Sequence, residues 1–496
     1  MGLIQKHSFK ITILAYIGAA IGYLNKIFLF PNFLEADQVG LANLLITIAV
    51  LYAQFAALGS YNIIYRFFPF FNDRKNNHHG FLFGVSALAL IGFVFTTILF
   101  LFLQKPFRIF YEENSPLLVE YFYYLIPLAF TSLFFNLFEN YLRSLYKNVI
   151  PSAISEVGLR LLVTLSVTVY ALNLVDFPTF VFLYVLVNCL PALAVIFYTW
   201  KLGELNIKPY FSPLWKRIGR VILVYGVFSL FNNLSYLVLS SIDSLMVAQI
   251  IDLSSAGIYT TMIFITSVLL IPYRSIVKVS TPVVAGYWKT KDMKNMESLY
   301  HSASDANLVI GGGIFLLLWV NIDSIFHFMP GEYMLGKYVF LMLGVGRLFD
   351  MASGLNGVIM LTSKKYRYDL FFTIGLVVFA ISSNYFLIPV FGINGAAFAS
   401  MVTLVFYNLL RILFVHYQYN IQPFLYKQLW VPAIMVIAAL LSNLAGQMIN
   451  IYFDILFRSL VIGMAFIVPV YYLNISREVN ILIQKNIRRF TGSWFR

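Results

Sequence analysis

Apolar runs of about 20 residues recur along the whole chain, and they limit its possible folds more than any other feature. A helix needs about that length to cross the hydrocarbon core of a membrane. The chain has 496 residues, 60% hydrophobic and only 11% charged, and a soluble protein could not bury that much apolar surface. The runs do not alternate with a period of two, so they indicate helices rather than a membrane barrel.

The apolar runs predict an all-α polytopic membrane protein with fourteen transmembrane helices. The basic N-terminus resembles a signal peptide, but no small-residue cleavage site follows, so we expect the first helix to be retained. No soluble domain of useful size is left over. The expected spans are 8–30, 41–65, 81–103, 118–141, 151–173, 178–200, 219–249, 255–277, 304–326, 335–361, 368–389, 395–417, 428–449 and 452–473.

The segment 26–66 has a counterpart in the second half of the chain. Residues 34–41 and 251–258 are similar polar turns between apolar runs, and Gly40 and Gly257 lie 217 residues apart (257 − 40). The same offset matches Glu35 with Asp252. We therefore predict one six-helix lobe in residues 1–204, a second in 205–418, and two additional helices with a basic amphipathic tail in 419–496.

The distribution of basic residues predicts the orientation in the membrane. Most of the 34 Lys and Arg residues, Arg411 included, fall on one side of the predicted helices, which is then the cytoplasmic side and holds both termini. Lys105, Arg108 and Lys337 are the main exceptions. Six helices per half make the halves parallel repeats, and such proteins hold the substrate path between them. Two loops, 205–218 and 288–301, are expected to form surface helices.

Several segments resemble a known superfamily. They are residues 30–34 (FPNFL), 39–41 (VGL), 57–60 (ALGS), 65–66 (YR), 243–248 (DSLMVA), 256–259 (AGIY), 387–389 (LIP) and 392–397 (GINGAA). With the helix pattern, they make the chain similar to the multidrug/oligosaccharidyl-lipid/polysaccharide exporter superfamily, in particular its O-antigen flippase branch. The resemblance implies a V-shaped, two-lobed transporter that moves a polyprenyl-diphosphate-linked oligosaccharide to the outer leaflet by alternating access.

Charged residues inside predicted spans are candidate functional residues, because a charge is costly there. Lys26 in helix 1 and Asp243 in helix 7 are equivalent under the 217-residue offset. We predict that they form a salt bridge closing the outer mouth. The alternative is that both side chains snorkel to the interface. If transport is coupled to a cation, Asp243 or Asp305 is the candidate ion-binding carboxylate.

Four arginines are candidate ligands of the substrate phosphate. Arg160 lies four residues from Glu156, and Arg347 lies three residues before Asp350, so each pair shares a helix face and could neutralise itself. Alternatively, the guanidinium fork of Arg160 or Arg347 holds phosphate. Arg66 and Arg274, at cytoplasmic helix ends, either form a basic vestibule for the diphosphate or only set the orientation.

Four amides inside the spans complete the candidate site. They could bind sugar hydroxyls, or they could link helices: Asn25, Asn232, Asn233 and Asn356. The net charge of +13 is assigned to topology and anionic lipids rather than nucleic acid, since no basic domain exists. The single Cys189 and the isolated His78-His79 pair predict no metal site.

No enzymatic motif is present, so we expect a transporter without a cofactor. The residues 311–313 (GGG) lack the Gly-Lys-Ser/Thr of a phosphate-binding loop, so the energy must come from H⁺ or Na⁺, the membrane potential or substrate consumption. Two alternatives stay open, a cation-coupled multidrug antiporter and a lipid-linked peptidoglycan precursor flippase. The expected location is the inner (plasma) membrane, with a polysaccharide polymerase or glycosyltransferases as membrane partners.

Overall fold

The computed structural model describes residues 3–206, 213–365, 367–444 and 450–494. All regular structure within these ranges is helical, which confirms the all-α prediction. The chain divides into two compact units, Met1–Thr261 and Met262–Arg496, and this division falls within one helix. The lobe boundaries predicted after residues 204 and 418 stay predictions.

The first unit contains long helices that follow predicted spans closely, such as Phe81–Phe102 and Phe177–Lys201, and several helices that are shorter or broken. The helices are α1 (Leu3–Tyr23), α2 (Phe30–Phe33), α3 (Ala36–Ala56), α4 (Ser60–Phe71), α5 (Phe81–Phe102), α6 (Gln104–Tyr111), α7 (Pro116–Glu120), α8 (Leu125–Ser144), α9 (Val149–Ala153), α10 (Leu159–Ala171), α11 (Phe177–Lys201), α12 (Pro213–Ile250) and α13 (Leu253–Thr266), whose last residues belong to the second unit. Two π-helical segments, Leu24–Leu29 and Ile154–Gly158, join α1 to α2 and α9 to α10.

The second unit contains the longest helix among the described residues. Its helices are α14 (Leu270–Thr290), α15 (Met293–Val320), α16 (Ile322–Phe326), α17 (Lys337–Ala352), α18 (Asn356–Thr362), α19 (Arg367–Tyr419), α20 (Trp430–Leu444), α21 (Ile451–Ile462), α22 (Val468–Tyr472) and α23 (Arg477–Trp494). One core cluster joins α15 to α20–α22 through residues such as Leu316, Val431 and Phe466. Another joins α14 and α15 to α18 and α19 around Tyr300 and Ile359.

The number of candidate spans in the described residues does not confirm the fourteen that the sequence predicted. In the described residues, 11 helices are long and apolar enough to cross a membrane, or 12 if the pair Gly331–Ala352 and Asn356–Thr362, bent by 52°, is one span. Leu237–Ile250 and Tyr426–Ser442 are shorter apolar helices. The protein is therefore a multi-pass membrane protein, but the predicted count of fourteen is not confirmed.

Some predicted elements have different boundaries because the backbone turns at glycine. The span predicted at 41–65 is broken between α3 and α4, where Leu58 (φ 46°) and Gly59 (φ 78°) are left-handed. A Cβ atom at Gly59 would lie 2.1 Å from the carbonyl oxygen of Gly226 in α12, so this close approach requires glycine. The two spans predicted at 368–389 and 395–417 both lie in α19, which kinks at Gly392 (φ 60°, ψ −142°).

The two predicted surface helices have separate outcomes. The segment 288–301 is not a separate surface helix, because α14 and α15 extend into it and leave only Lys291 and Asp292 between them. Asp292 caps α15 by accepting a hydrogen bond from the backbone N–H of Asn295 at 3.1 Å. The prediction for 205–218 falls partly on residues 207–212, outside the described residues. The predicted C-terminal helix corresponds to α23.

The loop between α4 and α5 is fixed by a buried histidine. His78 is 2% exposed, and its Nε2 lies 3.0 Å from Oε2 of Glu204, just after α11. Asn77, His78 and His79 have φ angles near 50°, followed by Gly80 at 70°. Left-handed backbone costs a non-glycine residue roughly 1–2 kcal/mol. The contact between His78 and Glu204 offsets part of the conformational free energy that this turn costs.

The repeat found in the sequence is visible as a reciprocal helix contact inside the first unit. A Cβ atom at Gly40 would lie 2.1 Å from the carbonyl oxygen of Leu253, and one at Gly257 would lie 2.0 Å from that of Ala36. Ala36 and Leu253 are themselves equivalent under the 217-residue offset. The first turns of α3 and α13 therefore cross about a local two-fold axis, with backbones so close that only glycine fits.

This contact predicts that alanine is harmful at Gly40 or Gly257. Gly40→Ala or Gly257→Ala forces the helices apart and should cost about 1–3 kcal/mol or more of stability. Thermal melting of the purified protein, followed by size-exclusion chromatography, measures this. Gly219→Ala in α12 is the control, because nothing lies within 4 Å of its added Cβ. Equal melting of Gly40→Ala and Gly219→Ala would refute the close contact.

Candidate functional site

Lys26 lies in a π-helical segment that interrupts the first membrane span. The span runs from Lys10 to Phe33. Within it, the helix changes from α to the wider π form at Leu24–Leu29, just before Pro31. Such segments often occur at functional sites, because they change the direction of side chains. The ammonium group of Lys26 donates to Oδ1 of Asn43 in α3 at 2.5 Å and lies 4.0 Å from the centre of the Phe30 ring.

A chain of hydrogen bonds continues from Lys26 across the repeat contact. Asn43 Nδ2 donates to Oγ1 of Thr260 in α13 at 2.9 Å, and that hydroxyl donates to the carbonyl oxygen of Ala256 at 2.8 Å. Asn43 and Thr260 are 217 residues apart, so they occupy equivalent positions in the two repeats. These hydrogen bonds place the amino group of Lys26 directly beside the local two-fold axis.

Lys26 keeps unused hydrogen-bonding capacity. An ammonium group has three N–H donors, and the structure engages one of them. In the described part of the chain, no carboxylate forms an ion pair with Lys26. The group is therefore a basic side chain inside a membrane span, held by a neutral amide and the Phe30 ring, with hydrogen-bonding capacity left for an anionic ligand or water.

Asp243, the repeat equivalent of Lys26, lies in a different local environment. It is 8% exposed, and its Oδ2 accepts a hydrogen bond from the hydroxyl of Tyr259 at 3.3 Å. The hydrogen bonds shown here thus connect Lys26 to Asn43 and Asp243 to Tyr259. The predicted Lys26–Asp243 gate pair stays a prediction.

The second π-helical segment, Ile154–Gly158, packs against α1. Glu156 and Arg160 are ion-paired at 2.9 Å, as their spacing predicted, and their side chains remain 36% and 31% exposed. A Cβ atom at Gly22 would lie 2.7 Å from Nη1 of Arg160, so α1 approaches the guanidinium closely. Arg160 is therefore a half-exposed cation that already has one carboxylate partner.

Asn25 is occupied by the same helix contact. Its Nδ2 donates to the carbonyl oxygen of Arg160 at 2.9 Å, and its Oδ1 accepts from Oγ1 of Thr164 at 2.8 Å. Both polar atoms thus link the π-helical segment Leu24–Leu29 to α10, and such a link between helices was one of the two roles that the sequence left open for this amide. Its contact with sugar stays a prediction. Asn233 is half-buried, and the side chain of Asn232 lies outside the described residues.

In the second unit, the predicted pair Arg347–Asp350 does not form. Oδ1 of Asp350 accepts a hydrogen bond from Asn408 at 2.9 Å, and Asn356 donates to Oδ1 of Asn408 at 2.9 Å. Arg347 is half-buried, without an ion pair among the described residues. Of the two alternatives left open for Arg347, self-neutralisation by Asp350 is therefore not seen, and Asn408 on α19 hydrogen-bonds that carboxylate instead.

Arg411 is not a loop cation, contrary to the sequence-based count. It lies in α19, where its Nε and Nη2 are 2.9 and 2.7 Å from Oδ1 of Asp369 and its guanidinium is 3.9 Å from the centre of the Tyr407 ring. The two charged residues are 42 positions apart, so no local spacing signalled the pair. The kink at Gly392 between them is the signal that could have found it.

The remaining candidates are spread over other parts of the two units. Asp305, in α15, is 9% exposed and accepts from Nε2 of Gln428 at 2.5 Å. Arg66 is exposed, with its guanidinium 4.4 Å from the centre of the Tyr225 ring in α12, and Arg274 is exposed at α14. No group of three or more potential metal ligands occurs within the described residues.

Comparisons with known proteins identify the fold. No protein-family model matches the chain, and no curated protein matches it by sequence. The chain is similar to the solved structure of the lipid II flippase MurJ in an inward closed conformation, with a TM-score of 0.70 and 12% identity over 92% of this chain and 97% of that one.

Two transporter structures are also similar. An inward-facing multidrug resistance MATE family transporter of the MOP superfamily matches with a TM-score of 0.61 and 16% identity over 82% of this chain and 94% of that one. A MOP superfamily transporter from Pyrococcus furiosus matches with a TM-score of 0.57 and 16% identity over 84% and 96%. The chain thus has the fold shared by MurJ and the MATE transporters of the MOP superfamily.

Proposed function

We propose that this chain is a membrane transporter that flips a polyprenyl-diphosphate-linked oligosaccharide to the outer leaflet by alternating access, for surface polysaccharide biosynthesis. The observation that carries the proposal is Lys26, a cation inside a span whose acceptor is an amide. An intramembrane charge without an opposite charge is costly unless it serves a ligand or a pathway. A diphosphate is an anionic ligand that repays this cost.

The fold supports a lipid substrate. The likeness to MurJ, named as a lipid II flippase, covers 92% of the chain at a TM-score of 0.70. The likeness to the inward-facing MATE transporter covers 82% at 0.61. A transporter of this fold can therefore serve a lipid-linked cargo, and the O-antigen-type oligosaccharide is the finer part of the proposal.

Other cations extend the proposed phosphate path. The half-exposed guanidinium of Arg160 lies on the helix that packs beside the Lys26 segment, and its fork of donors suits phosphate oxygens. Arg66 in the first unit and Arg274 in the second are each exposed, and each is proposed to attract the diphosphate at a cytoplasmic helix end. Arg347 offers a guanidinium in the second unit. The energy source in this proposal is an H⁺ or Na⁺ gradient, the membrane potential or consumption of the product outside.

A cation-coupled drug antiporter is the second candidate function. Asp305 is a buried carboxylate in a membrane span, and its neutral partner is Gln428. Such a group can bind a proton or a cation during transport. In this alternative, Asp305→Asn abolishes drug transport, whereas Lys26 is dispensable. A lipid-linked peptidoglycan precursor flippase differs from the leading proposal only in its cargo.

The transport proposal predicts a strong effect of Lys26→Gln. A hydrogen bond to a charged group contributes about 1.5–3 kcal/mol, so flipping should fall roughly tenfold or more, with partial recovery in Lys26→Arg. Proteoliposomes containing a fluorescent polyprenyl-diphosphate oligosaccharide measure the rate. Lys10→Gln, in the same membrane span and exposed, is the matched control. Normal flipping by Lys26→Gln, or drug transport that requires Asp305, would reject the proposal.

The vestibule predicts a defect for Arg66→Ala and Arg274→Ala. Each change should slow flipping without lowering the amount of folded protein, because both side chains are exposed. Lysine at either position should restore part of the rate, since it keeps the charge but loses the fork. If both alanine variants transport at the normal rate, these arginines only set the orientation.

The proposed orientation is testable by cysteine labelling. In a Cys189→Ala background, a single cysteine at position 37 should react with a membrane-impermeant reagent added to intact cells. A cysteine at position 75 should react only after the membrane is opened, because that loop is expected in the cytoplasm. The reverse pattern would overturn the orientation while leaving the fold unchanged.

A further inference from the structure

A short helix directly after the span α5 has three chemically different faces. In α6, Phe107 and Tyr111 point toward the protein and are half-buried, whereas Lys105 and Arg108 are exposed. Ile109 is 78% exposed and Phe110 is 60% exposed. An ionic face beside an apolar outward face is typical of a helix at a membrane surface.

Side chains following α6 fix it to the end of α12. The hydroxyl of Ser115 donates to the carbonyl oxygen of Ala248 at 2.6 Å, and Asn114 Nδ2 donates to that of Gln249 at 2.8 Å. Carbonyl groups in the last turn of a helix have no partner within the helix, so these bonds satisfy them. The position of α6 is therefore set by the fold.

A groove lies between α6 and α12. Its volume is about 290 Å³, and its walls are formed mainly by Phe107, Phe110 and Tyr111 on one side and Ile242, Leu245 and Met246 on the other. At roughly 30 Å³ per water molecule, this volume equals that of about ten water molecules. A short length of hydrocarbon chain therefore fits in the groove. Its walls are mostly apolar, with Gln249 as the one amide among the lining residues.

The basic residues of α6 are not neutralised by strong pairs. Arg108 lies 3.8 Å from Glu112, and both side chains are about 60% exposed, so this pair contributes little. Lys105 has no ion-pair partner in the described part of the chain. Lys337, by contrast, is bound to Asp323 at 2.7 Å. Of the cations that the sequence places outside, those of α6 remain open to an anion.

We propose that α6 and the end of α12 form a binding site for an anionic glycerophospholipid of the outer leaflet. One acyl chain occupies the groove, and the phosphate lies at Lys105 and Arg108. A single phosphate charge suits this site better than a diphosphate, because the exposed carboxylates of Glu112 and Glu113 follow immediately. The site anchors the outer end of α12 to the lipid around it.

Native mass spectrometry of the full-length protein tests this, using nanodiscs of phosphatidylcholine with added phosphatidylglycerol. Lys105→Gln with Arg108→Gln should weaken retention of one phosphatidylglycerol roughly tenfold or more. Met246→Trp, which fills the groove, should also lose that lipid while keeping both charges. Lys147→Gln with Lys364→Gln is the control, since it removes the same charge from exposed positions elsewhere.

Two outcomes would overturn the proposal. Equal retention of phosphatidylglycerol by the wild-type protein and the Lys105/Arg108 double variant would show that α6 binds no phospholipid. Displacement of the lipid by an equimolar polyprenyl diphosphate would assign the site to that class of ligand. The measurement needs no transport, so it gives an answer even if the proposed flippase activity is absent.

Discussion

The approach of α3 to α13 is the constraint on which the arrangement of the candidate site depends. Without Cβ atoms at Gly40 and Gly257, the two backbones come within reach of each other's carbonyl groups. One turn further along the same helices, Asn43 and Thr260 are then close enough to hydrogen-bond. The same Asn43 side chain accepts, through Oδ1, the hydrogen bond that the ammonium group of Lys26 donates. Moving the two helices apart by the width of a methyl group would break the hydrogen bond between Asn43 and Thr260.

The charges inside the spans fall into two classes. Arg411 with Asp369, and Arg458 with Asp454 at 2.8 Å, are buried ion pairs in which each charge has a partner. Removing one member of such a pair strands the other, so these residues are required for the fold. Lys26 differs because its partners are an amide and an aromatic ring. Stability alone does not explain keeping a charge there, which is the physical basis for giving it a functional role.

The sequence predicted most of the fold, because periodic apolar runs and the repeat offset are strong signals. Gly40 and Gly257 were aligned to set the offset, and the structure places them in reciprocal contact. The break at Leu58–Gly59 was missed because the apolar run continues through it. Hydropathy does not report where another helix, here α12 at Gly226, approaches the backbone.

The candidate site was less predictable, since its partners are distant and mostly uncharged. Lys26 was identified because a charge in an apolar run is conspicuous. Asn43 and Thr260 were not, because neutral polar residues are common in spans. Arg347 was expected to pair with Asp350 from local spacing, but Asn408, 58 residues away, takes that carboxylate. A pairing of this kind depends on how α19 folds back at Gly392.

The Asn43–Thr260 bond has a consequence for how such a protein could have arisen by gene duplication. In a homodimer of identical six-helix chains, both positions would carry the same residue, and the two sides of the axis could not specialise. Once the two copies are joined in one polypeptide, a residue in one repeat can change while its equivalent in the other repeat stays the same. An amide can then face a hydroxyl, and a lysine can occupy the place where the other copy holds an aspartate. The fused chain can thus build a polarity across its axis that a symmetric ancestor could not encode.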